Sequence, residues 1–135
     1  MRILVIEDHP TQLKLAHDVL CASNNAVTNL ESAEEALESI KLERPEVILL
    51  DLGLPGMSGL EFARRLKSDP ETEDISIVAV TAFPEMFSKA DALAAGCDAY
   101  ILKPLKTATL SDDLALTLVK DSGPDLEQKN LNRIA

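Results

Sequence analysis

Apolar runs of about four residues recur along the chain, and each of four ends on a residue that carries chemistry. Ile3, Leu4, Val5 and Ile6 lead into Glu7 and Asp8. Val47, Ile48, Leu49 and Leu50 lead into Asp51. Ile77, Val78, Ala79 and Val80 lead into Thr81, and Ala99, Tyr100, Ile101 and Leu102 lead into Lys103 and Pro104. Short unbroken runs rich in Val and Ile predict strands buried on both faces, as in a parallel sheet. Helical spacing fills the intervals. Behind Pro10, which suits a first helical turn, Leu13, Ala16, Val19 and Leu20 predict a helix to about residue 23. Ser32 with Glu35, and Ser58 with Glu61, are capping boxes. They open helices carrying Ala36, Leu37 and Ile40, and Leu60, Phe62, Ala63 and Leu66. Pro45 and the Asp69-Pro70 pair close them. Residues 26–30 predict a second strand on a thinner apolar signal, and residues 75–80 the fourth. A helix carrying Ala90, Leu93 and Ala94 is closed by Gly96, and a last helix from near Thr107 carries Leu110, Leu114 and Leu118.

Strands and helices in alternation predict an α/β fold with a five-stranded parallel sheet and helices on both faces. Right-handed crossovers restrict the topology further. In such a sheet the carboxyl ends of the strands line one edge, where the binding crevice lies. Glu7, Asp8, Asp51, Thr81 and Lys103 should therefore converge. Adjacent carboxylates repel unless a cation sits among them, and hard oxygen donors suit Mg²⁺. The ammonium and the hydroxyl beside them leave a hole of phosphate size.

Charge and length narrow the function. At 135 residues the chain is one domain's worth, and a 46% hydrophobic composition supplies a core. A net charge of −10 argues against direct nucleic-acid binding and against docking on an anionic membrane. No apolar stretch approaches the roughly 18–20 residues of a membrane span, and Met1-Arg2 leads straight into a strand rather than a signal peptide. Cys21 and Cys97 are too few for a disulfide scaffold, so a reducing, cytoplasmic setting is the expectation.

Taken in order, Glu7-Asp8, the segment Asp51-Leu52-Gly53-Leu54-Pro55-Gly56-Met57-Ser58-Gly59, Thr81-Ala82 and Lys103-Pro104 resemble the receiver domain of two-component response regulators, of stand-alone or hybrid-kinase type. The resemblance spans nearly the whole chain. It implies a flavodoxin-like sheet of order 2-1-3-4-5, with the receiver over residues 1–120 and an extension or linker over 121–135. It implies that Asp51 accepts a phosphoryl group in a Mg²⁺-dependent reaction. Glu7, Asp8, Asp51 and the carbonyl of Gly53 would hold the metal. Thr81, the amide of Ala82 and Lys103 would bind the phosphoryl oxygens. Thr81 and Tyr100 look like the family's switch pair, whose ring turns inward on phosphorylation and changes the surface of helix 4, strand 5 and helix 5. The Lys103-Pro104 bond resembles one that is cis in the family. The implied partners are a sensor histidine kinase or histidine phosphotransfer protein and a downstream protein or output domain. Such a protein is no enzyme beyond its own phosphorylation and dephosphorylation.

Gly53 and Phe83 depart from residues that would orient a hydrolytic water, so slow loss of the phosphoryl group is expected. Rival readings fit less well. A haloacid-dehalogenase-type phosphohydrolase needs a second Asp where Gly53 stands, and a flavodoxin needs a hydroxyl-rich phosphate loop where Glu7 and Asp8 stand. A receiver-like interaction scaffold that is never phosphorylated is the remaining alternative.

Overall fold

The computed structural model describes residues 1–118; the expected extension at 121–135, and the domain boundary at 120, lie outside the described residues. Strands and helices alternate through the chain: β1 (Arg2–Ile6), α1 (Pro10–Ala22), β2 (Ala26–Leu30), α2 (Ala33–Leu42), β3 (Val47–Asp51), α3 (Gly59–Lys67), β4 (Ser76–Thr81), α4 (Lys89–Ala94), β5 (Ala99–Leu102) and α5 (Leu110–Leu116). All five strands are parallel and lie in the order β2-β1-β3-β4-β5, the order the resemblance implies.

Strand alternation divides the interior into two layers. Leu4, Ile6, Ile48, Leu50, Ile77 and Ala79 pack on one side with α2, α3 and α4. Ile3, Val5, Val47, Leu49, Val78 and Val80 pack on the other with α1 and α5. Every residue of β3 and β4 is buried, which is why those runs lack polar alternation. β2 is one of the two edge strands and has no fully buried residue, which explains its thinner signal.

Local chemistry sets the helix starts. Ser32 accepts from the Glu35 amide at 3.2 Å, and Ser58 from the Glu61 amide at 3.1 Å, as the capping boxes require. Ser88 caps α4 in the same way through the Asp91 amide. A Cβ on Gly59 would come within 2.9 Å of the Asp51 carbonyl oxygen and of Leu52 Cα, so this glycine lets α3 start hard against the end of β3. Gly96 ends α4 at φ +102.

Two helices differ from their sequence reading. α4 buries Ala92, with Ala95 just beyond it, and turns Ala90, Leu93 and Ala94 outward. α5 starts at Leu110, not near Thr107; the Thr109 hydroxyl donates to Asp113 Oδ2 at 3.0 Å. Leu118 lies past the helix end but still packs on the α1–α5 core.

Candidate functional site

β1, β3, β4 and β5 are neighbours in register, so their carboxyl ends share one edge. The ladder runs on past them: the Lys103 amide donates to the Thr81 carbonyl at 2.9 Å, and the Leu52 amide to the Val80 carbonyl at 3.0 Å. This backbone frame brings Glu7, Asp8, Asp51, Thr81 and Lys103 together. The Lys103-Pro104 peptide is cis, as the resemblance implies.

Glu7, Asp8 and Asp51 offer carboxylate oxygens that all lie within 4.8 Å of one another. Glu7 and Asp51 are buried and Asp8 is exposed, so the cluster opens to solvent on one side. Hard anionic oxygens at this spacing fit Mg²⁺, which keeps part of its water shell when bound by carboxylates. Asp51 Oδ1 accepts from the Gly53 amide at 3.0 Å, which fixes the carboxylate's orientation at the strand end. Its other oxygen, Oδ2, stands 3.5 Å from Lys103 Nζ. That ammonium also donates to Glu7 Oε1 at 2.6 Å and to Gln12 Oε1. The second oxygen of Glu7 accepts from the His9 amide at 3.2 Å.

Burial raises the Glu7 carboxyl to about 7, helped by its contact with Asp51 and opposed by Lys103. Without a divalent cation Glu7 therefore keeps its proton to higher pH than an open carboxyl would. Lys103 offsets part of the repulsion between the two buried carboxylates.

Thr81 is buried at the end of β4, where its Oγ1 accepts from the Phe83 amide at 2.9 Å. That bond uses a lone pair and leaves the hydroxyl proton for another acceptor. Ala82 is exposed beside it. Tyr100 is buried at β5, with its hydroxyl donating to the Phe87 carbonyl at 2.5 Å. Burial, and then the charge of Glu85, raise its phenol above the ordinary value.

Periodicity places Gln12 on the solvent side of α1, yet it reaches Lys103. Phe87 had no signal at all. Its ring lies 3.8 Å from where a Cβ of residue 53 would stand, so it borders the mouth of the site. A groove of about 320 Å³ runs beside Lys103 between Gln12, Leu15, Ala82, Pro104 and Leu105. A larger hollow of about 630 Å³ lies between α2 and α3 and touches none of the strand-end residues. Here the chemistry, not the volume, locates the site.

Among the described residues no helix is long and apolar enough to cross a membrane. The family described as the response regulator receiver domain matches residues 3–115. The polar-differentiation response regulator DivK of Brucella anthropi is 37% identical over 103 residues, 76% of this chain and 84% of that protein. The signal receiver domain of a signal transduction histidine kinase from Syntrophus aciditrophicus superposes with a TM-score of 0.80 at 28% identity, covering 90% of this chain and 94% of that one. The receiver domain of a sensor histidine kinase from Pseudomonas aeruginosa, with a magnesium ion coordinated in its active-site cleft, superposes at 0.79 and 27% identity, covering 87% and 96%. The chain belongs to the response regulator receiver domain family of two-component systems.

Proposed function

We propose that this protein is a phosphorylation-driven switch whose acceptor is Asp51, charged from a phosphohistidine on a sensor kinase or histidine phosphotransfer protein. The observation that carries the reading is the meeting of Glu7, Asp8 and Asp51 with Lys103 and Thr81 at one sheet edge. Asp51 is the nucleophile: a carboxylate oxygen bonds to phosphorus as the phosphorus–nitrogen bond breaks, and the imidazole leaves with the electron pair. Phosphoryl transfer asks a protein mainly for positioning and charge neutralisation. The Gly53 amide holds Asp51 in line. Lys103 supplies a point positive charge to one phosphoryl oxygen, and the Thr81 hydroxyl and Ala82 amide donate to others. Glu7, Asp8, Asp51 and the Gly53 carbonyl would hold Mg²⁺, which neutralises charge on the facing side of the phosphoryl group.

Recruitment of the Thr81 hydroxyl by the new phosphate pulls on the end of β4. Tyr100 on β5 and the turn at Phe83–Phe87 take up that shift and re-present α4, β5 and α5 to a downstream protein or output domain. The protein acts on no substrate but its own Asp51, and works in the cytoplasm.

One observation favours a second reading, a scaffold needing no phosphate. Tyr100 is already inward, while Phe83, Met86, Leu93 and Leu102 stand exposed on the α4–β5 side. Intact-mass spectrometry after incubation with acetyl phosphate separates the two. A Mg²⁺-dependent gain of one phosphoryl group, absent in Asp51→Asn, supports the switch. No gain from acetyl phosphate or from phosphorylated histidine domains, in a folded protein that binds Mg²⁺, supports the scaffold.

A further inference from the structure

We infer that Gln12 is a positioning residue for Lys103: it holds the ammonium on the α1 side of the site until a phosphoryl oxygen takes the amide's place. The inference rests on the reading of Asp51 as phosphoacceptor. An ammonium has three protons and no lone pair. Three acceptors already face Lys103: Glu7 Oε1 at 2.6 Å, Gln12 Oε1, and Asp51 Oδ2 at 3.5 Å. The last lies beyond the usual N–H···O range of about 2.7–3.2 Å, so the resting ammonium leans toward Glu7 and Gln12 and away from the nucleophile.

A phosphoryl group on Asp51 replaces that distant carboxylate oxygen as the third acceptor and draws the ammonium toward itself, away from its two bonded partners. Of those two, Glu7 can carry a charge and Gln12 is an uncharged amide, so Gln12 is the one that yields. It also has somewhere to go. Gln12 lines the groove of about 320 Å³ beside Leu15, Pro104 and Leu105, and its side chain can swing there without unpacking the core. The amide and the incoming oxygen thus pull the same ammonium in opposite directions. The strength of the acceptor at position 12 sets how readily the phosphoryl group is taken up.

This predicts an order that a packing role would not produce. Gln12→Leu removes the acceptor at similar size and speeds uptake; Gln12→Met does the same. Gln12→Glu installs an anion that holds Lys103 harder and slows uptake. The experiment uses the whole chain. The first readout is solvent exchange of the Lys103 ammonium protons by nuclear magnetic resonance in the metal-free protein, with Lys103→Met to assign the signal. The second is the rate of acetyl phosphate uptake by intact mass. Exchange should quicken about fivefold in Gln12→Leu, and uptake should rise about threefold there and fall about as much in Gln12→Glu, as expected for one modest hydrogen bond. Unchanged ammonium exchange in Gln12→Leu, or both classes of variant moving uptake the same way, overturns the role of Gln12. Failure of the wild type itself to take up a phosphoryl group would instead sink the reading of Asp51.

Discussion

Two lysines lie mostly buried at opposite ends of the sheet, and their surroundings differ in kind. Lys103 is 15% exposed and Lys67 is 18% exposed. Lys67 closes α3 and donates to the Glu73 carbonyl at 3.1 Å, the Ile75 carbonyl at 2.8 Å and Asp98 Oδ2 at 3.0 Å. That same Asp98 oxygen accepts from the Ile77 amide at 2.8 Å, so every partner of Lys67 is tied to the backbone. A Cβ on Gly96 would stand 2.5 Å from Lys67 Cγ, so even the end of α4 is shaped around it. Lys103 instead faces three side chains, Glu7, Gln12 and Asp51, two of them able to change charge. A cation held by two carbonyls and a carboxylate pinned to a backbone amide has one stable arrangement. A cation ringed by carboxylates and an amide can be re-shared when a new anion arrives.

Swapping each lysine for methionine tests that contrast most strongly. Lys103→Met should slow phosphoryl uptake at Asp51 by about 100-fold or more, the scale of losing one electrostatic stabiliser of the transferring group. It should leave stability in Mg²⁺ little changed. Lys67→Met should do the reverse. It strands the Ile75 carbonyl and Asp98, costing about 1–3 kcal/mol of unfolding free energy, and leaves uptake near wild type. Denaturant titration and intact-mass kinetics on both variants give a two-by-two result. Equal effects of the two variants on uptake would erase the distinction.

The next effect concerns proton binding. Burial raises Glu7 from its ordinary value of 4.5 to about 7 in the folded state. Between those values the native protein keeps a proton that the unfolded chain releases, so metal-free stability falls as pH rises from about 4.5 through about 7. Mg²⁺ favours the ionised form and should cancel this slope while releasing a proton on binding. Glu7→Gln should flatten the metal-free slope. Denaturation midpoints in chelator at about pH 5 and about pH 8, repeated with Mg²⁺, check the sign. A metal-free protein that gains stability across this window would contradict the placement of Glu7.

The strand ends were legible because topology alone places them. A parallel sheet must bring the residues after β1, β3, β4 and β5 to one edge, whatever their side chains do. Ser32 and Ser58 were legible because their caps are local. Gln12 was not. Whether a helix residue faces solvent or the site depends on the rotation of α1 against the sheet, which apolar spacing fixes only coarsely. The face of α4 was misread for a related reason. It is six residues long and carries Ala90 and Ala94 on its outer side and Ala92 on its inner one, so its pattern has too little contrast to choose a face. α5 begins at Leu110 and not near Thr107 because a turn over residues 107–109 precedes it. Phe87 reaches the mouth of the site from the turn before α4, a placement only tertiary packing decides.

The smallest expected effect lies at that mouth. On the proposed reading, loss of the phosphoryl group needs a water in line with the phosphorus, and the resemblance implies that positions 53 and 83 would flank its path. Gly53 offers no side chain, and Phe83, 53% exposed, offers no hydrogen bond. Space does not forbid a polar residue at 53: a Cβ there would meet Asp51 Oδ1 at 3.6 Å and Phe87 Cε2 at 3.8 Å, ordinary contact distances. A Gly53→Asn, Phe83→Glu double variant should therefore fold and place two polar groups beside the phosphate. General-base-like orientation of a water contributes about 10²-fold at its best, and an imperfect graft should return about tenfold faster loss. The decay of phosphorylated protein after donor removal, followed by intact mass in excess Mg²⁺, reads this directly. An unchanged half-life would mean that access past Phe87, not orientation at 53 and 83, governs the water. Phe87→Ala in the same assay would then shorten the half-life where the double variant did not.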